Sequence, residues 1–284
     1  MKIDVERFAR DCARVLEGLG LHVEEVDDGY DLDFLAWCDD VCLGVRCVSG
    51  KKDLRGISAY GEWEDGISEI VRGAEALGAY ALVVLPKDLD DEMLALSTFC
   101  ESYGVPMSVT SWSALTFEVS EDPLDVDGTT EVFMERELGH VPEWPELREV
   151  EPLLDGEKKV TPDVIREVVR ERVTVDWKDL VMVLRWAGYS SEGFEESVEK
   201  VLESEEVEEY EGELMHVPDK LPEVLGALLV WLEGRGDVPE DEVYEFMYSH
   251  FKVPYDVTYL ALKKLEERGE IRLVRNRVSR LGTG

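Results

Sequence analysis

Asp31-Leu32-Asp33-Phe34-Leu35-Ala36 and, after the Asp39-Asp40 turn, the apolar run 41–48 closed by Ser49-Gly50-Lys51-Lys52 decide how this chain folds. The first segment alternates polar and apolar side chains and the second is apolar but for Arg46, so the pair predicts a β-hairpin. Upstream, residues 5–19 set Val5, Phe8, Cys12, Val15, Leu16 and Leu19 at helical spacing and stop at Gly20, a common helix terminator. Residues 22–26 read as a strand. Downstream, residues 61–78 carry Ile67, Ile70, Val71, Ala74 and Leu77 on one helical face, and residues 80–85 form an unbroken apolar strand covered on both sides. A helix over 90–103 stops before Gly104, and a last strand follows at 105–112. The order αβββαβαβ predicts an α/β domain over residues 1–118, a mixed central sheet flanked by helices.

In element order and flanking residues this segment resembles the PD-(D/E)xK nuclease superfamily, in particular its Holliday-junction-resolvase and Mrr-like branch. There a strand of the form xDhhA is followed by one of the form hExKSG. The resemblance implies a restriction-endonuclease-like fold in which carboxylates of adjacent strands converge on a hard divalent cation while a lysine orients the attacking water. Asp33 matches the acid of the first strand. Aligning on Cys47-Ser49-Gly50 puts Arg46 in the seat of the glutamate and Val48 in that of the lysine; a two-residue slip gives Gly44 and Arg46 instead. The Glu-Arg pair of the family's first helix falls, by distance to Gly20, on Ala9-Arg10.

A guanidinium stays charged and repels a divalent cation, yet it can hold a phosphate through paired hydrogen bonds. The expectation is therefore a vestigial site at Asp33, Arg46 and Val48, with no catalytic residue, no metal and no cofactor. One rival is an active DNA endonuclease using magnesium or manganese, with Asp33 as a ligand or with a site relocated to Asp53, Glu62 or Glu69 and Lys51 or Lys52. The plainest alternative makes Asp33 a solvated turn carboxylate and Arg46 a strand-edge charge.

Residues 119–157 change to Asp-, Glu- and Pro-rich sequence, read as an ordered acidic connector with room for one short helix or hairpin. Trp112 and Trp144 are expected to pack against neighbouring domains. Beyond it, two units share a plan. In residues 158–220, Thr161-Pro162 opens a helix to about 172, a second spans 176–187, a third starts at Ser190 or Ser191, and a hairpin joins 207–210 to 214–217. In residues 221–284, helices at 221–233, 240–250 and 254–268 precede a hairpin of 271–274 and 277–281. Three helices and a hairpin resemble a winged helix, so the chain reads as a nuclease-like α/β domain plus two α+β winged-helix domains.

In that family the third helix enters the major groove and the wing touches the backbone. The first unit's third helix and wing carry a wall of glutamates, from Glu192 to Glu213, which suits a protein partner rather than DNA. From Lys263 to the end, seven basic residues (Lys263, Lys264, Arg268, Arg272, Arg275, Arg277, Arg280) face three acids, a balance of +4 that leaves −39 on the rest of a chain of net charge −35. Such segregation is the expected footprint of nucleic acid on an acidic protein. Helix-end dipole compensation and an ordinary charged edge strand would produce the same residues.

Net charge −35 argues against a chain that binds nucleic acid with its whole surface. The acidity fits either docking onto other proteins or a very salty cytosol in which local patches outweigh net charge. The five cysteines (Cys12, Cys38, Cys42, Cys47, Cys100) lack paired spacing and are expected to be small buried hydrophobes; the four histidines show no ligand spacing. No long apolar stretch and no signal peptide are seen, so a cytoplasmic protein without membrane contact is expected. The expected role is a non-catalytic nucleic-acid-binding or assembly subunit in DNA processing or replication, open to homodimerisation. A pure winged-helix interaction scaffold is the remaining rival.

Overall fold

The computed structural model describes residues 1–26, 29–39, 41–49, 64–87, 91–117, 128–140, 146–172, 174–204, 206–210, 212–218 and 221–281. The chain forms two compact units, residues 1–158 with 181–191, and residues 159–180 with 192–284. The stretch expected as a connector falls in the first unit, and the expected boundary at 220 falls inside the second.

The first unit is α/β. Asp4 caps α1 (Val5–Gly18) by accepting from the amides of Glu6 and Arg7 at 3.1 and 3.2 Å. Its apolar stripe, Phe8, Cys12, Val15 and Leu16, is buried as the spacing predicts. Then come β1 (His22–Glu25), β2 (Phe34–Cys38), β3 (Val41–Cys47), α2 (Glu64–Ala76), β4 (Tyr80–Leu85), α3 (Asp91–Tyr103) and β5 (Met107–Ser111). The sheet runs in chain order, β1-β2-β3-β4-β5. Pairs β1/β2 and β2/β3 are antiparallel, while β3/β4 and β4/β5 are parallel with α2 and α3 as crossovers. Gly44 lets α2 approach: a Cβ there would stand 2.9 Å from Leu32 Cδ1 and 3.1 Å from Ala74 Cβ.

Several expectations change. Strand β2 starts at Phe34 rather than Asp31, because Leu32 turns inward into the core shared with α2 and α3. Trp112 opens a further helix, α4 (Trp112–Phe117), instead of ending a strand. The presumed connector holds the eleven-residue α5 (Gly128–Leu138) and the short α6 (Leu147–Val150), and Phe133 and Met134 of α5 are buried. Trp112 packs within its own unit, 5.2 Å from the Phe133 ring and 6.2 Å from that of Phe8; Trp144 lies outside the described residues. Cys12, Cys47 and Cys100 are buried as expected, but Cys38 is exposed and Cys42 half-buried, because both sit at the turn end of the β2/β3 hairpin.

The two-residue strands β6 (Lys158–Lys159) and β8 (Tyr189–Ser190) pair with each other. The second unit repeats one path twice. First come α7 (Pro162–Arg172), β7 (Thr174–Asp176), α8 (Trp177–Trp186), α9 (Phe194–Leu202), β9 (Val207–Tyr210) and β10 (Glu213–His216), with sheet order β7-β10-β9. Residues 181–186 of α8 count with the first unit. Then come α10 (Leu221–Leu232), β11 (Val238–Pro239), α11 (Glu240–Phe251), α12 (Tyr255–Glu267), β12 (Ile271–Leu273) and β13 (Arg277–Arg280), with order β11-β13-β12. In each copy the strand between the first two helices pairs with the last strand of the hairpin. The β12/β13 turn, Arg275-Asn276, has φ of 51° and 59°, the doubly left-handed geometry of a type I′ turn. Among the described residues no helix is long and apolar enough to cross a membrane.

Candidate functional site

The hairpin register sets the first candidate site. Phe34 pairs with Val45 and the Asp33 amide donates to the Val45 carbonyl at 2.8 Å, so Asp33 stands opposite Arg46. One Asp33 carboxylate oxygen accepts from the Cys47 amide at 2.5 Å and the other from Arg46 Nη1 at 3.3 Å. Arg46 Nη2 lies 3.4 Å from Asp31 Oδ1. One guanidinium thus spans two carboxylates. Burial pushes the Asp33 pKa up; the Cys47 amide and Arg46 pull against it, Asp31 adds to the rise, and burial wins. Val48, 1 % exposed, belongs to the core, and its amide donates to the Val84 carbonyl.

A cleft of about 950 Å³ opens over this pair. Ala9 and Arg10 of α1 line it, so the helix position singled out in sequence faces the same cleft as Asp33 and Arg46. Arg72 and Glu69 of α2 line it as well, with Glu6, Glu25 and Asp31. Three guanidiniums therefore face five carboxylates. As arranged, this pair does not suit a resident divalent cation, since the Arg46 guanidinium occupies both Asp31 and Asp33. Of the relocated-site candidates Glu69 reaches the cleft; Lys51, Lys52, Asp53 and Glu62 lie outside the described residues.

The second candidate site, the basic C-terminal segment, does not form one surface. Lys264 is ion-paired with Glu208, and the Lys263 amine lies 5.3 Å from the centre of the Tyr259 ring. Arg280 turns to the inner side of the hairpin, donating to the Leu229 carbonyl at 2.8 Å and lying 3.4 Å from Glu233. Strand alternation puts Arg272 and Arg277 on the opposite, outer side, with Arg275 in the turn. Arg277 donates to the Asp237 carbonyl at 2.6 Å. Arg268, Arg272 and Arg275 are exposed.

Sequence reading missed a buried polar cluster in the first unit. Asp11, 1 % exposed, sits on the apolar face of α1 and receives Arg185 Nε at 2.7 Å, Arg185 Nη2 at 3.0 Å and Trp186 Nε1 at 3.0 Å. Arg185 Nη1 also donates to the Leu153 carbonyl at 2.7 Å, and Trp186 packs on Phe8 and Trp112 at 4.8 and 5.1 Å. The signal was an acid next to Cys12 in an otherwise apolar stripe, which needs a partner. No protein-family model matches this chain, and a search of curated proteins returns no match.

Proposed function

We propose that the first unit is a nuclease-like domain of the PD-(D/E)xK plan that has kept its cleft and lost its hydrolytic centre. In this reading the second unit is a tandem winged-helix pair, and the whole chain is a non-catalytic nucleic-acid-binding or assembly subunit in DNA processing or replication. The observation that carries the reading is the fork of Arg46 across Asp31 and Asp33, a cation where the resemblance asks for a carboxylate and a metal. The doubled strand order, β7-β10-β9 and β11-β13-β12, supports the winged-helix part. DNA is assigned to the exposed Arg268, Arg272 and Arg275 with Arg277, and protein partners to the carboxylates of α9 and the β9/β10 hairpin. A scaffold without nucleic acid is favoured by one finding: Lys264, Arg277 and Arg280 already have partners in the chain.

Fluorescence titration of duplex, single-stranded and junction DNA at two salt concentrations, with and without manganese, tests this. Expected is salt-sensitive binding that Arg272→Glu with Arg275→Glu weakens, with the DNA left intact. Absence of binding at low salt supports the scaffold, and manganese-dependent cutting supports the endonuclease.

A further inference from the structure

Between Glu223 and Glu233, α10 and its end carry no ionisable group: Val224-Leu225-Gly226-Ala227-Leu228-Leu229-Val230-Trp231-Leu232. Val224, Leu225, Leu228 and Leu232 are buried in the core of the second repeat. Gly226 and Val230 are exposed, Val230 at 69 %, while Ala227 and Trp231 are half-buried, Trp231 packing partly against that core. In a chain with 33 % charged residues, a solvated helix face ordinarily carries carboxylates.

The neighbouring face of α11 extends this surface. Phe246 stacks on Trp231 with centroids 4.4 Å apart and planes 12° from parallel, and the Arg235 guanidinium lies over Trp231 at 4.3 Å. Phe251, 41 % exposed, meets Phe246 edge-on at 5.8 Å. A Cβ at Gly226 would meet nothing within 4 Å, so the helix has an open notch one turn before Val230. Exposed Glu223, Glu233 and Glu242 flank the patch; Glu233 also pairs with Arg280.

We infer that this α10–α11 face docks a basic amphipathic segment of a protein partner, its apolar side on Val230, Trp231, Phe246 and Phe251 and its lysines or arginines against the flanking carboxylates. An aromatic centre that carries one guanidinium, Arg235 over Trp231, within a rim of carboxylates has the Trp- and Arg-enriched composition of an interface core. Charge selects the occupant. A second copy of a chain at −35 is repelled, as is a phosphate backbone, whereas a cationic segment is drawn in. The docking face does not depend on whether the chain binds nucleic acid.

Fluorescence anisotropy on the full chain at physiological salt tests it, using a labelled amphipathic Leu/Lys helix peptide, a scrambled peptide of the same composition and a Leu/Glu counterpart. The Leu/Lys peptide binds, the scrambled one binds at least ~10-fold more weakly, and the Leu/Glu one does not bind. Val230→Asp and Gly226→Arg each weaken binding by ~10-fold or more, while Gly226→Ala stays within about twofold. Each variant is checked by thermal melting, and the exposed Gly226 site keeps the test valid if Val230→Asp unfolds. No binding of the Leu/Lys peptide, equal binding of the scrambled peptide, or unchanged binding by both charged variants overturns the inference. So does a wild-type dimer in sedimentation that Val230→Asp splits, which assigns the face to a second copy.

Discussion

The two halves of the second unit follow the same path through space with opposite chemistry. In the first copy Asp176 of β7 lies across from Glu213 of β10; in the second, at the corresponding place, Pro239 of β11 lies across from Arg277 of β13. One hairpin meets solvent with glutamates and the other with arginines. Apolar periodicity fixes the path in both, because Val175 and Leu214 pair as Val238 and Val278 do. The solvent-facing positions are free to diverge, and there the copies can take different partners.

The largest expected effect separates the corresponding helices α8 and α11. The end of α8 is held by the buried Asp11–Arg185 pair, whereas α11 ends with exposed His250 and Phe251. Asp11→Ala strips the buried guanidinium of its two-pronged partner, leaving it the Leu153 carbonyl and Asp155 at 3.8 Å, and should cost about 3–5 kcal/mol in urea unfolding. His250→Ala should stay within about 0.5 kcal/mol. Comparable losses would erase the distinction.

Next is charge. Arg272→Glu with Arg275→Glu should lower the salt dependence of DNA affinity by about 0.9 in log–log slope for every phosphate that the protein no longer neutralises. Glu209→Arg in the first hairpin should leave DNA affinity unchanged if only the second copy touches it. A gain there would show that net charge, not position, governs binding.

Titration gives a third effect. Burial, then Asp179 and the facing Glu213, push the Asp176 pKa up to about 7 against two amide hydrogen bonds. The folded state therefore holds this proton more tightly than the unfolded state, and stability falls as pH rises from about 4 to about 7. Asp176→Asn can keep the cap that accepts from the Asp179 amide at 2.6 Å. It should match wild type near pH 4 and be more stable by about 1–2 kcal/mol at pH 8, read from chemical unfolding at both values. A variant no more stable at pH 8 contradicts the acid-pair account. Smallest, Arg275→Asn at φ 51° suits the left-handed turn better and should raise stability by about 0.5 kcal/mol while weakening DNA binding, which separates fold from recognition.

Much of this architecture was legible in sequence. Glycines 20, 78 and 104 ended helices where expected, and the run 80–85 became β4, an inner strand paired on both edges and buried at residues 81 and 83–85. Strands β7 and β11 were not legible, because segments of three and two residues carry no alternation to detect. Helix α5 hid in acidic sequence whose apolar side chains, Phe133 and Met134, find their partners only in the tertiary fold. At the candidate site, residue types were readable and pairing was not. Arg46 was expected to be able to hold a phosphate, yet it is held by Asp31 as well as Asp33, although Asp31 lies ahead of the strand in which the alternation placed it. Arg280 was grouped with Arg272 by composition, while the pleat sends them to opposite sides.

The most direct measurement is product analysis of supercoiled, linear and junction DNA incubated with the full chain in manganese, wild type beside Asp33→Ala. The account predicts intact DNA with both proteins. Cleavage by wild type that disappears in Asp33→Ala would contradict it.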